Sequence, residues 1–413
     1  MHIALVTHRF VRGDGQGRVN LEVAAAALRR GWKVTLVASD VAAELRDHMN
    51  VDWVRIDVRR WPTELVRNQL FAFASWRWLA RNRRHIDVVL VNGFITWAVG
   101  DYAAAHFVHS AWLRSPYRTA DSSVRGVYQH IYTRLNSALE RWAYRRATGV
   151  VAVSQQVRRQ LVESGVPEQT VRVIPNGVDT SEFAPGAEQL PAPAGRGAAV
   201  TGLFVGDLNT TRKNLLTVLR ALSRSPQVRM VVAGTVGASP YPRMARELGV
   251  ADRVTFLGFR KDVPALMRAA DFVIFPSLYE PSGLVLLEGM ASAKPVITTR
   301  TVGGVELLDS ACAIVLDDPE DPEAMAAAMD KLARSPDLRA EMGKEGRQRA
   351  LSLDFTAMAE AYCELFATHD TRNRSRSGAR GAPPALPERL PMKAEPLNDP
   401  QFPSASDSYL RKQ

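Results

Sequence analysis

Short apolar runs alternate with amphipathic stretches along the first half of the chain. The runs are rich in Val, Ile and Ala, as expected of strands that a parallel sheet buries on both faces. They predict strands over residues 2–6, 33–38, 52–56, 88–91, 104–108, 149–153 and 171–174. A helix is predicted over 18–30, because Val19, Val23 and Ala27 form one apolar stripe that stops before Gly31. Strands that alternate with helices are typical of an open parallel sheet with helices on its faces.

A segment rich in Pro, Gly and Ala at residues 184–197 interrupts this pattern. The alternation then restarts, with strands predicted over 200–205, 228–233, 253–257, 272–275, 295–298 and 313–316 and helices over 323–333, 336–351 and 356–368. The predicted fold class is therefore α/β, with doubly wound domains at 1–180 and 198–352. We expect helix 356–368 to pack back on the first domain. The tail at 369–413, crowded with Pro, Ser and Arg, is predicted to be disordered.

Two doubly wound domains in one chain predict a cleft between the carboxyl ends of their strands. Ligands of such sheets bind outside those ends, where the strand order reverses. We therefore expect the functional site between the domains.

The composition is that of a globular protein long enough for two domains. Of 413 residues, 46% are hydrophobic, 8% aromatic and 23% charged, which excludes a collagenous, coiled-coil or wholly disordered chain. Cys312 and Cys363 are too few for a disulfide framework or a thiolate metal cluster. With neither a secretory signal nor a membrane-spanning run in the sequence, we expect a cytoplasmic protein.

Most of the net charge of +10 lies in the first half of the chain, where residues 1–190 hold 25 Lys and Arg against 17 Asp and Glu. Eight Arg fall between Arg55 and Arg84, interleaved with Trp61, Phe71, Phe73, Trp76 and Trp78. Arg and Trp on one amphipathic helix suit an anionic membrane surface. The same spacing also fits a helix with packed aromatic side chains and solvated Arg. Nucleic acid is a weaker alternative, because no nucleic-acid-binding motif accompanies the charge.

The loop after the first predicted strand, Gly13-Asp14-Gly15-Gln16-Gly17-Arg18, is rich in glycine and leads into a helix. Glycine lets the backbone approach a ligand closely, and the amides at a helix N-terminus attract phosphate. The spacing differs from the dinucleotide fingerprint, although Asp40 lies where that fingerprint places a ribose-binding acid. By itself the segment fits a phosphate-binding loop and a plain tight connection equally well.

Two acids flank a loop-to-helix junction in the second half of the chain. Glu280 lies in the loop after the strand predicted at 272–275, and Glu288 in a helix predicted over 284–291. Eight residues of helical rise place their carboxylates at most roughly 12 Å apart, about the distance from a transferred sugar to the ribose of its nucleotide. Amides near Gly283 and Leu284 start the helix and could hold a diphosphate. Considered alone, both acids also fit solvated surface positions.

Basic residues follow the first strand of the second domain. Gly206 ends this strand, and the adjacent Arg212 and Lys213 could neutralise a diphosphate or simply solvate a helix start. In the first domain, His109 follows an apolar run at the mouth of the sheet, while His106 is the better candidate for core packing.

The order and spacing of these motifs resemble family 4 of the retaining nucleotide-sugar glycosyltransferases. The resemblance covers residues 2–368 and rests on the Gly-rich loop, Val-Ile-Pro-Asn-Gly-Val-Asp at 173–179, the Arg212-Lys213 pair and Glu-Pro-Ser-Gly-Leu-Val-Leu-Leu-Glu at 280–288. It implies the GT-B fold, two Rossmann-like domains that face each other across a cleft. The C-terminal domain of that fold holds the nucleotide sugar and the N-terminal domain the acceptor.

The resemblance also implies a donor site. Glu288 would bind the ribose hydroxyls and Glu280 the transferred sugar. The rest of the donor site would comprise Gly206, Arg212, Lys213, Arg260, Gly283, Leu284 and Val285 from the second domain and Gly15 and Gly17 from the first.

Catalytic roles would fall to His109, Glu280 and Lys213. Family members are thought to transfer the sugar with retention, the leaving phosphate deprotonating the incoming hydroxyl on the same face. The resemblance implies neither a metal nor another cofactor, and the chain contains no Asp-x-Asp motif.

We therefore expect a metal-independent, retaining hexosyltransferase that acts on a glycan or lipid-linked acceptor in cell-surface polysaccharide or lipopolysaccharide biosynthesis. Its basic half favours an anionic or membrane-bound acceptor and a place at the inner face of the cytoplasmic membrane. Two positions depart from the family pattern, Asp207 in place of Arg and Asp14 in place of glycine. Asp207 leaves open a catalytically impaired, nucleotide-binding homologue. The Gly-rich loop and Asp40 leave open an NAD-dependent oxidoreductase.

Overall fold

A computed structural model describes residues 1–118, 124–187, 200–237 and 239–378. The strands of the first domain are β1 (His2–Val6), β2 (Arg9–Phe10), β3 (Lys33–Ala38), β4 (Asp40–Val41), β5 (Val51–Arg55), β6 (Val88–Asn92), β7 (Tyr102–Ala105), β8 (Gly149–Ala152) and β9 (Val171–Val173). Its helices are α1 (Gly15–Arg29), α2 (Ala43–Arg46), α3 (Glu64–Asn82), α4 (His109–Arg114), α5 (Val124–Tyr144) and α6 (Gln155–Glu163).

The second domain has the strands β10 (Val200–Val205), β11 (Val228–Ala233), β12 (Val254–Gly258), β13 (Phe272–Phe275), β14 (Val296–Thr299) and β15 (Ala313–Leu316). Its helices are α7 (Leu215–Leu222), α8 (Tyr241–Glu247), α9 (Val263–Ala269), α10 (Leu284–Ala291), α11 (Pro322–Arg334) and α12 (Pro336–Leu351). A last helix, α13 (Phe355–Gly378), follows α12.

Each domain is built around one parallel sheet. The strand order is β5-β3-β1-β6-β7-β8-β9 in the first domain and β12-β11-β10-β13-β14-β15 in the second, and β2 and β4 form a separate two-stranded ribbon. All of the strand pairs found in the described ranges are parallel. The predicted pair of doubly wound α/β domains is confirmed.

Alternation along the central strands explains why helices cover both faces of each sheet. In β1, Ile3 and Leu5 join the core cluster that contains α1, whereas Ala4 and Val6 join Phe71 of α3 on the opposite face. Successive side chains of a strand point to opposite faces, so a fully apolar strand requires cover on both sides.

Two element boundaries differ from the sequence prediction by three residues each. Helix α1 begins at Gly15 rather than residue 18, because the side chain of Asp14 caps it by accepting from the Gly17 amide at 3.3 Å. Strand β7 ends at Ala105 rather than 108, and Val108 already precedes α4 as its N-terminal cap residue. An apolar run by itself does not separate a strand end from the helix start that follows it.

The C-terminal helix α13 returns to the first domain and packs on α1. The chain crosses between the domains where Val178 and Asp354 form an isolated parallel bridge. Tyr362 and Phe366 of α13 are fully buried in the same cluster as α1. The helix continues to Gly378, whereas the sequence pattern predicts an end at residue 368. Residues 379–413 of the predicted disordered tail lie outside the described residues.

The cysteines lie in the core, and the described helices are those of a chain without a membrane span in these ranges. Cys312 and Cys363 are both buried and free, one in each of two core clusters. In the described ranges, none of the helices combines the length and hydropathy needed to cross a bilayer.

Candidate functional site

Loops at the carboxyl ends of the two sheets meet. The strand order reverses between β1 and β6 in the first sheet and between β10 and β13 in the second. Across the contact, Tyr279 Oη donates to the Val108 carbonyl at 3.3 Å, and Ser154 Oγ donates to the Pro281 carbonyl at 2.7 Å. Ligands of doubly wound sheets bind at such reversal points, so the cleft combines the two favoured positions of the fold.

Lys213 and Arg212 converge on the carboxylate of Glu280. Lys213 Nζ lies 2.5 Å and Arg212 Nη1 3.3 Å from the same oxygen, Oε2, and Arg212 also donates to the Tyr279 carbonyl at 2.9 Å. The three side chains are 24% exposed or less. Burial lowers the pKa of Lys213, and the negative charge of Glu280 partly opposes this shift. Three of the predicted site residues therefore form one buried ion cluster.

The loop that carries Lys213 is held by Asn214. Asn214 adopts a left-handed conformation with φ of 62°, which asparagine tolerates better than most residues. Its Nδ2 donates to the carbonyls of Pro276 at 3.1 Å and Pro319 at 2.6 Å. A Cβ on Gly206 would lie 3.3 Å from Cγ of Lys213, so this glycine leaves room for the lysine stem. These contacts hold Lys213 beside the loop that carries Glu280.

Helix α10 starts against the first domain. Its N-cap residue Gly283 has φ of 82°, and a Cβ there would lie 2.7 Å from Val302 Cγ1, so both backbone conformation and space require glycine. Leu284 Cδ1 lies 2.8 Å from where a Cβ of Gly15 would be. Gly15 therefore touches the start of α10 across the cleft, and Val285 follows in the first turn of the helix.

Glu288 lies one turn further along α10 and is half-buried. Burial raises its pKa to about 7, and the charge of Glu182 adds a smaller rise. The carboxyl group thus changes its ionisation near neutral pH, which affects how well it can accept hydrogen bonds from a sugar diol.

Gly17 packs against residues of its own loop. Its amide is engaged by the Asp14 cap, and a Cβ would lie 3.0 Å from the Val11 carbonyl. Close packing within its own loop explains this glycine better than contact with a donor. The adjacent Arg18 donates to Asp179 at 2.6 Å and so ties α1 to the segment before the domain boundary.

His109 is held by a carboxylate that the sequence patterns do not reveal. Its Nδ1 lies 2.6 Å from Glu140 Oε1, and its backbone amide donates to Glu140 Oε2 at 3.0 Å. The ring of Phe107 lies 4.9 Å from the His109 ring and 5.1 Å from that of Tyr279, and the Arg212 guanidinium is 5.8 Å from its centroid. Phe107 therefore connects His109 with the ion cluster of the second domain.

Two residues singled out from the sequence make local contacts instead. Arg260 pairs with Asp262 in its own loop, with Nε 2.7 Å from Oδ1. Asp207, the residue that replaces the usual Arg, is exposed and accepts from the Asn209 amide at 2.9 Å. This tight turn accounts for Asp207, so the positive charge at the cleft comes from Arg212 and Lys213.

A pocket of about 220 Å³ opens beside His109 at the carboxyl ends of β1, β6 and β7. We call it the amino-terminal pocket; its lining includes His8, His106, Glu140 and Tyr144. Burial lowers the pKa of both His8 and His106 to about 4, so both rings are neutral at pH 7. Sequence reasoning missed Glu140 and Tyr144. The only signal for them is their position in an aromatic, Arg-rich helix.

Two protein-family models match the chain. Residues 13–182 match the model described as Glycosyltransferase Family 4, and residues 198–349 match Glycosyl transferases group 1. A D-inositol 3-phosphate glycosyltransferase from Corynebacterium jeikeium (strain K411) is 32% identical over 235 residues, which are 52% of this chain and 56% of that protein. The chain spans roughly half to two thirds of the length of such curated relatives.

Solved structures match over most of the chain. Sucrose-phosphate synthase from Thermosynechococcus elongatus superposes with a TM-score of 0.73 at 21% identity, covering 89% of this chain and 99% of that one. WaaG, a glycosyltransferase involved in lipopolysaccharide biosynthesis, superposes with a TM-score of 0.72 at 20% identity, covering 88% and 99%. At these identities the similarity establishes the fold, and the expected GT-B class is confirmed.

Proposed function

The chain belongs to glycosyltransferase family 4, and from this premise we propose that it transfers a hexose from a nucleotide diphosphate sugar to a hydroxyl group of a glycan or glycolipid, with retention. The convergence of Lys213 and Arg212 on Glu280, beside His109 of the facing domain, carries the proposal. We place the reaction in cell-surface polysaccharide or lipopolysaccharide biosynthesis, a role supported by the similarity to WaaG, which is involved in lipopolysaccharide biosynthesis.

The donor diphosphate would lie between the two cations and the start of α10. Amides at a helix N-terminus and buried cations both favour phosphate oxygens. Glu288 on α10 would accept hydrogen bonds from the ribose. Since Lys213 and Arg212 already bind Glu280, a diphosphate would share an existing positive cluster rather than having to assemble one.

In the transfer step, the bond between the anomeric carbon and the diphosphate oxygen breaks, and the acceptor oxygen bonds to that carbon on the same face. The leaving phosphate oxygen takes the proton of the acceptor hydroxyl. Lys213 and Arg212 stabilise the negative charge that develops on the leaving group. Glu280 positions the transferred sugar. Because Nδ1 of His109 is engaged by Glu140, we assign Nε2 to the reacting substrates.

The proposal is tested with a transfer assay on the full chain. A thermal-shift screen of nucleotide sugars first identifies the donor, because a ligand that binds only the folded state raises the melting temperature. Glu280→Gln should then lower kcat by about 100- to 1,000-fold, the effect of removing one preorganised electrostatic group. Glu247→Gln on exposed α8 is the matched control and should leave kcat unchanged. Full activity of Glu280→Gln would refute the assigned role.

The same assay also tests retention of the anomeric configuration and the catalytically impaired alternative. NMR of the product gives its anomeric configuration, and an inverted product would refute retention. Asp207 is engaged by the Asn209 amide and leaves Arg212 and Lys213 in place on Glu280, which argues against the catalytically impaired alternative. Donor binding without turnover over a broad set of acceptors would favour that alternative instead.

We further propose that transfer requires no metal or organic cofactor. In the part of the chain that the structure describes, no three His, Cys, Asp or Glu side chains are grouped as metal ligands. The two cations at the cleft can supply the charge that a divalent ion supplies elsewhere. Undiminished transfer after treatment with EDTA is expected, and activity restored only by a divalent cation would contradict this proposal.

We also propose that the first domain contacts an anionic membrane through an aromatic surface formed by the exposed side chains of Phe73, Trp76 and Trp97. Phe73 lies 5.8 Å from Trp76 and 5.6 Å from Trp97, ring centroid to ring centroid. The exposed residues Arg77, Arg81 and Arg84 follow on the same helix and the turn after it. Phe71 of the same stretch is buried in the core instead. Apolar rings beside cations suit the interface of an anionic bilayer.

Sedimentation with vesicles tests this contact. The protein should bind phosphatidylglycerol-containing vesicles more strongly than phosphatidylcholine vesicles, and the double variant Phe73→Ser, Trp76→Ser should lose most of the binding. Phe259→Ser in the second domain removes an even more exposed aromatic ring and is the control. Equal sedimentation of all three proteins would contradict the proposed surface.

A further inference from the structure

The amino-terminal pocket differs in charge from the basic surface of its domain. None of its lining residues, all of them described, is Lys or Arg, and its neutral polar side chains include Asn68, Asn92 and Asn136. The one carboxylate, Glu140, is 6% exposed and faces His109. An anionic group placed here would meet a buried carboxylate with no cation among the lining residues to compensate it, which is unfavourable in a low dielectric. Arg9, which lies outside the lining, is a basic residue whose charge acts on the His8 ring.

Two polar atoms at the pocket are buried without a partner. The hydroxyl of Tyr144, a residue only 2% exposed, and Nε2 of His8 have no hydrogen-bond partner among the described residues, whereas the His8 ring also interacts with the side chain of Asn68. Such groups are rare in folded proteins, because a buried donor or acceptor without a partner loses the hydrogen bonds that water would give it. Burial also raises the pKa of Tyr144 well above its ordinary value, so the hydroxyl is neutral and can both donate and accept.

The backbone leaves space in front of the tyrosine hydroxyl. Gly93 follows β6 with φ of 61°, and even a Cβ at that position would remain 3.9 Å from the hydroxyl oxygen. At about 220 Å³ the pocket is smaller than the roughly 300–1,000 Å³ of sites for drug-sized ligands, which suits a single ring. Its size, neutrality and unpaired polar atoms all match one hydroxyl-rich ring.

We propose that the amino-terminal pocket binds one uncharged, polyhydroxylated ring of the acceptor, that Tyr144 and His8 select it through its hydroxyls, and that the pocket rejects rings bearing phosphate or carboxylate. This inference rests on the proposed function, since it specifies the acceptor of the same reaction. It also revises the expectation of an anionic acceptor group, because none of the residues that line the pocket is Lys or Arg.

Binding of small probes to the full chain tests the inference without turnover. Methyl glycosides of glucose, galactose and mannose are compared with the corresponding hexose 6-phosphates and uronic acids by saturation-transfer NMR and calorimetry. At least one neutral glycoside should bind, and its charged counterparts should bind at least tenfold more weakly. Equal or tighter binding of the charged rings, or no binding of any neutral ring, would overturn the proposal.

The variants separate the pocket from the fold. Tyr144→Phe keeps the packed ring and should weaken binding of the neutral probe about three- to tenfold, the effect of one lost hydrogen bond. His8→Gln is the second variant and should weaken the same probe. Tyr362→Phe is the matched control, because the hydroxyl of Tyr362 is also buried and unpaired in the described structure. Tyr362 lies on α13, in the core cluster that this helix shares with α1, and not in the pocket. Unchanged binding by both Tyr144→Phe and His8→Gln would refute the assignment.

Failure of the pocket assignment can be distinguished from failure of the proposed function. If the chain transfers no sugar from any nucleotide sugar while the neutral ring still binds and Tyr144→Phe weakens it, the function fails and the pocket assignment stands. If transfer occurs but phosphorylated acceptors are used as well as neutral ones, the function stands and the inference about the pocket is wrong.

Discussion

The ionisation of Glu288 provides a quantitative prediction for donor binding. With a pKa of about 7, only about a tenth of the molecules carry the charged carboxylate at pH 6, and about nine tenths do at pH 8. If the ribose hydroxyls bind the ionised form, the apparent Kd of the nucleotide sugar should fall about tenfold between these pH values. The diphosphate of a nucleotide sugar is doubly esterified and does not titrate in this range. Calorimetry at pH 6, 7 and 8 measures the effect, and Glu288→Gln should remove the pH dependence.

The raised pKa of Glu288 also predicts how the stability of the folded chain changes with pH. Its pKa in the folded chain lies above the ordinary 4.5, so the folded state binds more protons than the unfolded state between those values. The contribution to stability is present below about pH 4.5 and is lost as the pH rises through 7. The melting temperature of Glu288→Gln relative to the wild type should therefore increase from pH 5 to pH 8.

Glu306 is the matched control because burial also raises its pKa to about 7. Both of its carboxylate oxygens lie 2.8 Å from the Gln155 amide, at the start of α6. Glu306→Gln should keep the tenfold pH dependence of donor binding. A flat wild-type profile would refute the reasoning about Glu288, as would a Glu288→Gln variant that retains the dependence.

Three further substitutions test packing and positioning. Phe366→Ala should lower the free energy of unfolding by about 3–5 kcal/mol in urea titration, because this fully buried ring holds α13 against the first domain; an unchanged midpoint would show that it does not. Gly283→Ala should lower the free energy of unfolding and weaken donor binding. Its control is Gly165→Ala, because Gly165 has a similar φ but open space around its Cβ. Gly165→Ala should lower the free energy of unfolding only by the conformational strain of about 1 kcal/mol. Glu140→Gln should lower kcat without changing the donor KM, since Glu140 acts by orienting His109; a rise in donor KM alone would contradict that role.

Elements with a strong local signal follow directly from the sequence. Strand β13 and helix α10 have the predicted bounds, because an apolar run, a loop rich in Pro and Ser, and a glycine at the helix start mark each boundary. The motif that contains Glu280 and Glu288 begins in the loop after β13 and ends in α10. Together with the order of the other motifs, it was sufficient to identify the family. The roles of these acids in donor binding stay predictions.

The site itself also depends on contacts between residues far apart in the chain. Local periodicity carries no information about which residues meet across 31 positions, as His109 and Glu140 do, or about the position of Phe107 beside the cations of the other domain.

The sequence by itself therefore determined the fold class and the family, because these depend on local patterns and residue types, while the roles of the candidate site residues stay predictions. Tertiary structure alone decided the pKa of Glu288, because burial raises it. It also decided that α5 brings the unpaired hydroxyl of Tyr144 to the amino-terminal pocket. Burial and hydrogen-bond satisfaction are properties of the packed chain, since they depend on all the neighbours that surround a group.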